Sequence, residues 1–242
     1  MQLICQQGKM GQGYIEWISI LTLCVWNRYE IGLAWLNEEF LCDTECKRRD
    51  TNYEPAYFKW LQLLLTKGIP TLEGKDKTLT KLLLDAPAIN TEAIDLIRKH
   101  MSDEPSRFVS CVSTLRDLVA NRPPVRDMCL DVLLEYCTNP DIRMRSTGIV
   151  VVKKWVPDHP TIAPKVEAYA IKALHTLTGE PPAKKVEAMD VDESTENGQQ
   201  QDAEEENKEQ PEEPAEWSEQ DVVRHAELFF ALCAKKNDLL DE

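Results

Sequence analysis

Apolar side chains recur with helical spacing in four consecutive stretches between Phe108 and Leu177. The first stretch places them at i, i+3, i+4, i+7, i+10 and i+11, which is one face of an α-helix. These residues are Phe108, Cys111, Val112, Leu115, Leu118 and Val119. Strand-like alternation is scarce along the chain. The pattern therefore predicts an all-α protein whose amphipathic helices bury their apolar faces against one another.

The next three stretches have the same character. Their apolar positions are Val125, Met128, Cys129, Val132, Leu133 and Tyr136, then Ile142, Ile149, Val150 and Val156, then Ile162, Val166, Tyr169, Ala170, Ala173, Leu174 and Leu177. Asn139 before Pro140 predicts a helix cap with proline at the first helical position. Helix pairs thus recur about every 35–40 residues, near the period of helical solenoids. We expect a HEAT-like helical repeat, an α-α superhelix, with an irregular helical bundle as the alternative.

Four weaker helical patterns precede these stretches, and Asn90 is placed to cap the last of them. They cover Tyr29 to Cys42, Pro55 to Leu65, Lys77 to Leu84 and Thr91 to Met101. The helical-repeat domain is therefore expected over residues 27–179. Residues 1–26 form an uncertain N-terminal segment. Its apolar part, Tyr14 to Trp26, is too short to span a bilayer and contains Glu16.

The chain changes character after Gly179. Between Pro181 and Trp217 lie 13 acidic residues and 3 lysines, which carry −10 of the total charge of −14. Almost no large apolar side chain is present, so residues 180–216 are predicted to be a disordered acidic linker. Residues 217–242 resume with a capping-box pattern, Ser218 and Asp221, and a stripe of Val222, Ala226, Phe229, Phe230 and Cys233. We expect this helix to pack on the preceding pairs, with the acidic segment as an insertion.

Catalytic and metal-binding patterns are weak. The eight cysteines fall mostly on apolar helix faces and include no C-x-x-C, which is typical of a reducing compartment. Cys42 and Cys46 would share a helix face, but two thiolates do not complete a zinc site. The glycines at positions 8, 11 and 13 lack the strand and the lysine of a phosphate-binding loop. We therefore predict no enzyme activity, no cofactor, no metal and no small-molecule substrate.

Two features are compatible with RNA contact. Lys47, Arg48 and Arg49 form a basic run in a predicted loop, for which a solvated helix end is the plainer interpretation. The aromatic set Tyr53, Tyr57, Phe58 and Trp60 is more typical of a core than of a base-stacking platform. Direct RNA contact therefore stays open as a separate alternative, whose sign would be strong salt dependence.

The stretch that begins at Asp141 resembles a HEAT repeat. Asp141, Met144, Arg145 and Gly148 occupy the places of the aspartate, the valine, the arginine and the small residue in that pattern. Asp141 can cap the helix or bridge to an arginine, Met144 would pack inward, and a small residue allows helices to approach closely.

A wider resemblance rests on the order of several motifs. These are Leu33-Ala-Trp-Leu-Asn-Glu-Glu-Phe40, Ser113-Thr-Leu-Arg-Asp-Leu118 with Arg122-Pro123, Met144-Arg145-Ser146 with Lys153-Lys154, and Trp217-Ser-Glu-Gln-Asp221 leading to Leu228-Phe-Phe-Ala-Leu232. In this order they resemble the central region of the symplekin family. The resemblance covers about Tyr29 to Leu240 and leaves residues 1–26 unmatched, as expected for a fragment with a truncated or mispredicted start.

The resemblance implies a nuclear scaffold of the machinery that cleaves and polyadenylates pre-mRNA. Such a protein holds the endonuclease and its specificity and stimulation subunits together, and its partners are proteins of that complex. We expect exposed helix-edge residues to make these contacts, with Arg116, Asp117, Arg122 and Arg126 as candidates. Arg126→Glu should then weaken partner capture without changing helicity.

Two other functions remain open at this stage. The chain could be a helical-repeat adaptor of another pathway, such as nuclear transport or trafficking, which cargo proteins as partners would reveal. It could also be an enzyme with an unrecognised cysteine site, in which case substitution of Cys111 or Cys137 would abolish activity without unfolding the chain.

Overall fold

The computed structural model describes residues 29–72, 76–179 and 217–235. Within these ranges the chain forms α-helices and short 3₁₀ turns, and no β-strand. The nine helices are α1 (Tyr29–Arg49), α2 (Tyr57–Gly68), α3 (Thr78–Asp85), α4 (Thr91–Asp103), α5 (Phe108–Asn121), α6 (Arg126–Tyr136), α7 (Ile142–Val152), α8 (Ala163–His175) and α9 (Glu219–Cys233). The predicted all-α class is confirmed for this part of the chain. The predictions for residues 1–26 and for the acidic linker at 180–216 lie outside the described residues.

The helices pack in two layers. α1, α3, α5, α7 and α9 each contact the next member of that series, and we call this series the odd layer. α2, α4 and α6 do the same behind it, and α8 is joined to α6 by a Lys165–Asp131 ion pair of 2.8 Å. These four helices are the even layer. The buried apolar side chains form one cluster that runs from Leu36 to Cys233. The fold is thus a packed all-helical stack of two layers that share one apolar core.

Hydrogen bonds between side chains repeat along the stack. Thr80 Oγ1 in α3 and Thr114 Oγ1 in α5 lie 2.9 Å apart in a buried pair. Ser102 Oγ in α4 and Tyr136 Oη in α6 lie 3.2 Å apart. Both pairs are 34 residues apart in sequence, close to the recurrence that the sequence predicts. They link helices of the same layer, so each layer has polar cross-links as well as apolar packing.

Helix α5 follows its predicted pattern in full, because all six residues of its apolar stripe are buried. Helix α7 does not. Of its predicted stripe, Ile142 and Val150 are exposed and Ile149 is buried, while Arg145, Gly148 and Val152 complete the buried face. The predicted stripe is confirmed at Ile149 and at Val156, which is buried beyond the end of the helix, and it is wrong at Ile142 and Val150. It fails there because α7 carries aliphatic residues on both faces, so apolar periodicity alone does not select the covered one.

The start of α7 also differs from the expected cap. The helix begins at Ile142, and Asp141 is its N-cap, accepting hydrogen bonds from the backbone N–H groups of Arg143 and Met144 at 2.7 and 3.3 Å. Asn139 instead accepts from the backbone N–H of Asp141 at 2.8 Å. The Asn139–Pro140 cap was therefore wrong, whereas Asp141 caps as the HEAT-like pattern suggests. The Asp141 carboxylate is the cap because it accepts from two backbone N–H groups of the first turn that have no partner within the helix.

Helix α1 is longer than the sequence indicates. It runs to Arg49, so the basic run lies in its last turn rather than in a loop. Glu45 pairs with Arg48 at 3.1 Å, and cations at a helix C-terminus are favoured by the helix dipole. Ile31 and Leu41, two large apolar residues of this helix, are exposed. Local charge interactions thus stabilise the C-terminal turn of α1, and the pattern of apolar residues does not predict them.

Helix α9 docks on α8 and α7, as expected for the helix after the acidic segment. Ser218 caps it, accepting a hydrogen bond from the backbone N–H of Asp221 at 3.2 Å. The Trp217 indole N–H donates to the carbonyl oxygen of Gly179 at 3.0 Å, so the two ends of the connection between α8 and α9 lie together. Val222 and Phe230 are exposed, against the predicted stripe, and Leu228 and Leu232 are fully buried in their place.

Candidate protein-binding surface

Exposed large apolar side chains are confined to the odd layer. Eight are found among the described residues, and each belongs to α1, α5, α7 or α9: Ile31, Leu41, Val109, Ile142, Val150, Val222, Val223 and Phe230. Scattered exposed apolar residues are normal on a protein surface, so what distinguishes these residues is their confinement to one layer. The two layers therefore present surfaces of different chemistry.

The outward stripe of α5 shows how this surface is built. α3 and α7 contact α5 on its two flanks, while α4 and α6 contact it from behind. Its exposed side chains can therefore only face away from the even layer. Val109, the half-buried Ser113 and Arg116 follow one another at i, i+4 and i+7 on that face, and Val109 is 65% exposed.

Helix α7 repeats the arrangement beside α5. Arg143, Ser146 and Val150 are exposed at i, i+3 and i+7, which puts them on one side of the helix. A valine and an arginine thus recur on the front of both helices. Arginine is enriched in protein–protein interfaces, lysine and glutamate are depleted there, and the buried core of an interface is more apolar than the rest of the surface. We call the exposed front of α5 and α7 the odd face.

The even layer is polar by contrast. The exposed residues of α6 are Asp127, Asp131 and Glu135, spaced four residues apart along one side. Lys165 of α8 approaches Asp131 Oδ1 to 2.8 Å, and Arg98 of α4 forms an ion pair with Glu135. Such exposed pairs contribute little stability, but they keep this side hydrated. The even layer therefore offers a solvated, charged surface.

The four sequence-predicted contact residues separate into two pairs. Arg116 is exposed on the odd face, and its guanidinium donates to Asp117 Oδ1 at 2.8 and 3.0 Å. Both side chains lie at the surface, where a partner protein can contact them. Whether they contact a protein stays a prediction.

Arg122 and Arg126 are bound within the fold. The Arg122 guanidinium donates to four backbone carbonyls at the end of α3, including those of Leu84 at 3.0 Å and Pro87 at 3.2 Å. Arg126 Nε donates to the carbonyl of Val119 at 2.9 Å. The four last carbonyls of a helix lack intrahelical partners, so these arginines satisfy groups that would otherwise be orphaned. Their first role is structural.

The helical pattern of the sequence does not predict this use of arginine. A second arginine of the chain, however, makes the same kind of contact. Arg107, which precedes α5 as Arg122 precedes α6, donates to the carbonyl of Ile69 at 2.8 Å. Each arginine thus reaches back 38 or 39 residues to the end of an earlier helix. A proline lies within two residues of each arginine, Pro105 before Arg107 and Pro123 after Arg122.

The buried cysteines are poorly suited to nucleophilic chemistry. Burial raises the pKa of Cys111 to about 11 and that of Cys129 to about 12, and it also raises the pKa of Cys137. A thiol attacks as its thiolate, so these groups stay in the unreactive form near neutral pH. His100 and Cys111 line one small cavity, but burial lowers the pKa of His100, so an imidazolium–thiolate pair is disfavoured.

The described part of the chain contains no candidate metal cluster and no candidate membrane span. No group of three or more His, Cys, Asp or Glu residues within residues 29–72, 76–179 and 217–235 is arranged to hold a metal ion. None of the helices in these ranges combines the length and the apolarity that a membrane crossing requires. Neither a family model nor a solved structure matches this chain.

Proposed function

We propose that this protein is a non-enzymatic helical-repeat scaffold of HEAT-like type that acts in the nucleus in mRNA 3′-end processing. It would hold the endonuclease of pre-mRNA cleavage near the specificity and stimulation subunits. The single observation that carries the scaffold function is the confinement of all exposed large apolar side chains of the described residues to the odd layer.

The pathway rests on the ordered motifs that resemble the symplekin family. Local geometry around one of them supports the HEAT-like assignment. Asp141 caps α7, Met144 packs against the core, and Gly148 lies within ordinary contact distance of the end of α6. These are the three roles that the motif requires.

The mechanism is tethering. Two partners that bind one rigid stack are held at an effective concentration that free diffusion does not give, and no chemical step on the scaffold is needed. The odd face supplies exposed apolar side chains beside arginines, and arginine is among the residues that carry most binding energy in protein interfaces.

A helical-repeat adaptor of another pathway, such as nuclear transport or trafficking, is the alternative. It would use the same odd face, because the surface argument does not depend on the pathway. Direct RNA contact is a further alternative for the basic end of α1, and binding that weakens steeply with added salt would support it.

The test uses a tagged full chain with two substitutions, Val109→Glu and Val150→Glu. The chain is incubated with nuclear extract, and the proteins that it captures are identified. Both positions are exposed, so helicity should be retained while an apolar contact is replaced by charge. We expect recovery of the cleavage and polyadenylation subunits to fall at least tenfold relative to the unsubstituted chain.

Gln62→Glu on α2 is the matched control, since it adds a carboxylate at an exposed position of the even layer. Its recovery of partners should equal that of the unsubstituted chain. Capture of transport factors instead of processing subunits would replace the pathway by the adaptor alternative. Equal recovery by the double variant and the control would reject the odd face as the binding surface.

A further inference from the structure

The contact between α7 and α9 depends on one buried arginine. Arg145 in α7 has a side chain that is only 6% exposed, and its Nε donates to Glu227 Oε2 in α9 at 2.6 Å. Its other nitrogen contacts are the carbonyls of Asn139 and Pro140, at 2.8 and 3.3 Å. Removal of the carboxylate from a buried ion pair strongly destabilises the fold. A helix that covers Arg145 therefore needs an acidic side chain at this position.

The rest of the α9 interface is that of an amphipathic helix on a receptor. Ala226, Leu228, Leu232 and Cys233 form its buried face, and α8 and α7 are the helices beneath it. The fit is incomplete at its polar edge. Arg224 Nε and His225 Nδ1 are buried without a hydrogen-bond partner, and such groups cost free energy that a better-matched ligand would recover.

The chain path separates α9 from the helices it covers. Elsewhere in the stack consecutive helices are joined by short turns, such as that between Asn121 and Arg126. α8 and α9 are joined through residues 180–216, while Gly179 and Trp217 remain in contact. Because α9 is covalently joined to α8, its docking is an intramolecular event, and a separate helix must compete with it for the site.

From these contacts we propose that the surface formed by α7 and α8 is an acceptor site for an amphipathic helix, that α9 fills this site in cis, and that a partner helix can take its place. The partner helix must present a carboxylate at the Glu227 position and apolar side chains at the positions of Leu228 and Leu232. The carboxylate is the specificity element, because apolar contacts alone would leave Arg145 unpaired. This inference concerns a surface other than the odd face and does not depend on the proposed pathway.

The first test measures binding of a fluorescent peptide of residues 217–235 to the full chain. The unsubstituted chain should bind weakly, because its own α9 competes. In the Glu227→Arg chain the cis helix is repelled by Arg145, so the dissociation constant of the peptide should fall at least tenfold. Glu38→Arg, which makes the same charge change at an exposed position of α1, should bind as weakly as the unsubstituted chain.

Two results would overturn the proposal. One is equal peptide affinity for the unsubstituted and Glu227→Arg chains. The other is a loss of circular-dichroism signal in the Glu227→Arg chain larger than α9 alone accounts for, which would make α9 an integral part of the stack.

A second measurement leaves all contacting residues unchanged. A protease recognition sequence is inserted after Gly198, and the cleaved but otherwise unsubstituted chain is mixed with excess peptide of residues 217–235. We expect the α9 fragment to be displaced while the remainder stays helical, and a peptide carrying Glu227→Arg to displace it at least tenfold less well. Retention of the fragment, or unfolding of the remainder on its release, would contradict the exchange model.

Discussion

The carboxylate of Asp43 in α1 accepts a hydrogen bond from the backbone N–H of Tyr57, the first residue of α2, at 2.7 Å. The same oxygen accepts from the backbone N–H of Ala56 at 2.8 Å, and the other oxygen accepts from the Tyr53 hydroxyl at 2.8 Å. The residue before α2 is an alanine and cannot cap. One helix thus caps the next from a distance of 14 residues.

Substitution of this carboxylate should destabilise the N-terminal part of the stack. Asp43→Ala leaves the buried N–H of Tyr57 unpaired, and we expect a loss of about 3 kcal/mol in the free energy of unfolding, from charge-assisted bonds that are no longer made. Asp43→Asn keeps one acceptor and should lose less. Chemical denaturation of the two variants checks the order, and an Asp43→Ala chain as stable as the unsubstituted one would refute the capping role.

Gly148 allows α7 to approach the end of α6 closely. A methyl group built there would lie 3.4 Å from the carbonyl carbon of Tyr136 and 3.5 Å from the backbone nitrogen of Cys137. Gly148→Ala should therefore fold with a thermal midpoint within a few degrees of the original, because the methyl fits and alanine favours helix. Gly148→Leu should lose about 3 kcal/mol, since backbone cannot move aside as a side chain can. Thermal unfolding of both variants distinguishes close packing from simple backbone flexibility.

Thiol reactivity should follow burial. Cys111, Cys129 and Cys137 are buried with raised pKa values, whereas Cys46 is half-buried in α1. At pH 8, alkylation mapped by mass spectrometry should label Cys46 first and leave the other three unmodified until denaturant is added. Rapid labelling of Cys111 in the folded chain would instead support a reactive cysteine site.

Acidification should weaken the fold through two histidines. Burial, with Arg224 close by, lowers the pKa of His225, and burial, with Arg107 close by, lowers the pKa of His100. Below the ordinary histidine pKa of about 6.5, the unfolded chain therefore binds protons that the folded chain does not. The contribution of the two neutral histidines to the free energy of unfolding is therefore complete above about pH 6.5. It is lost as the pH falls from there through the lowered pKa values of the folded chain.

The measurement is the thermal midpoint at pH 7.5 and at pH 5.5, for the unsubstituted chain and for His225→Gln. The midpoint should fall on acidification in both, and by less in the variant. An identical fall would exclude His225 as a contributor and leave His100 and the carboxylates to account for it.

The sequence by itself predicted what depends on neighbours within one or two helical turns. The apolar stripe of α5 was found in full, and Asn90 and Ser218 cap α4 and α9 as expected. Each of these features is decided by residues three to eleven positions apart, and a helix of this length fixes their geometry whatever surrounds it.

Tertiary structure alone decided which side of α7 is covered and what the charged residues do. Ile142 and Val150 read as core but are exposed, Arg145 reads as surface but is buried, and Arg122 serves a helix end almost forty residues back. The physical reason is that these outcomes depend on groups brought together across the stack. Glu227 is 82 residues from Arg145, and no local pattern could pair them.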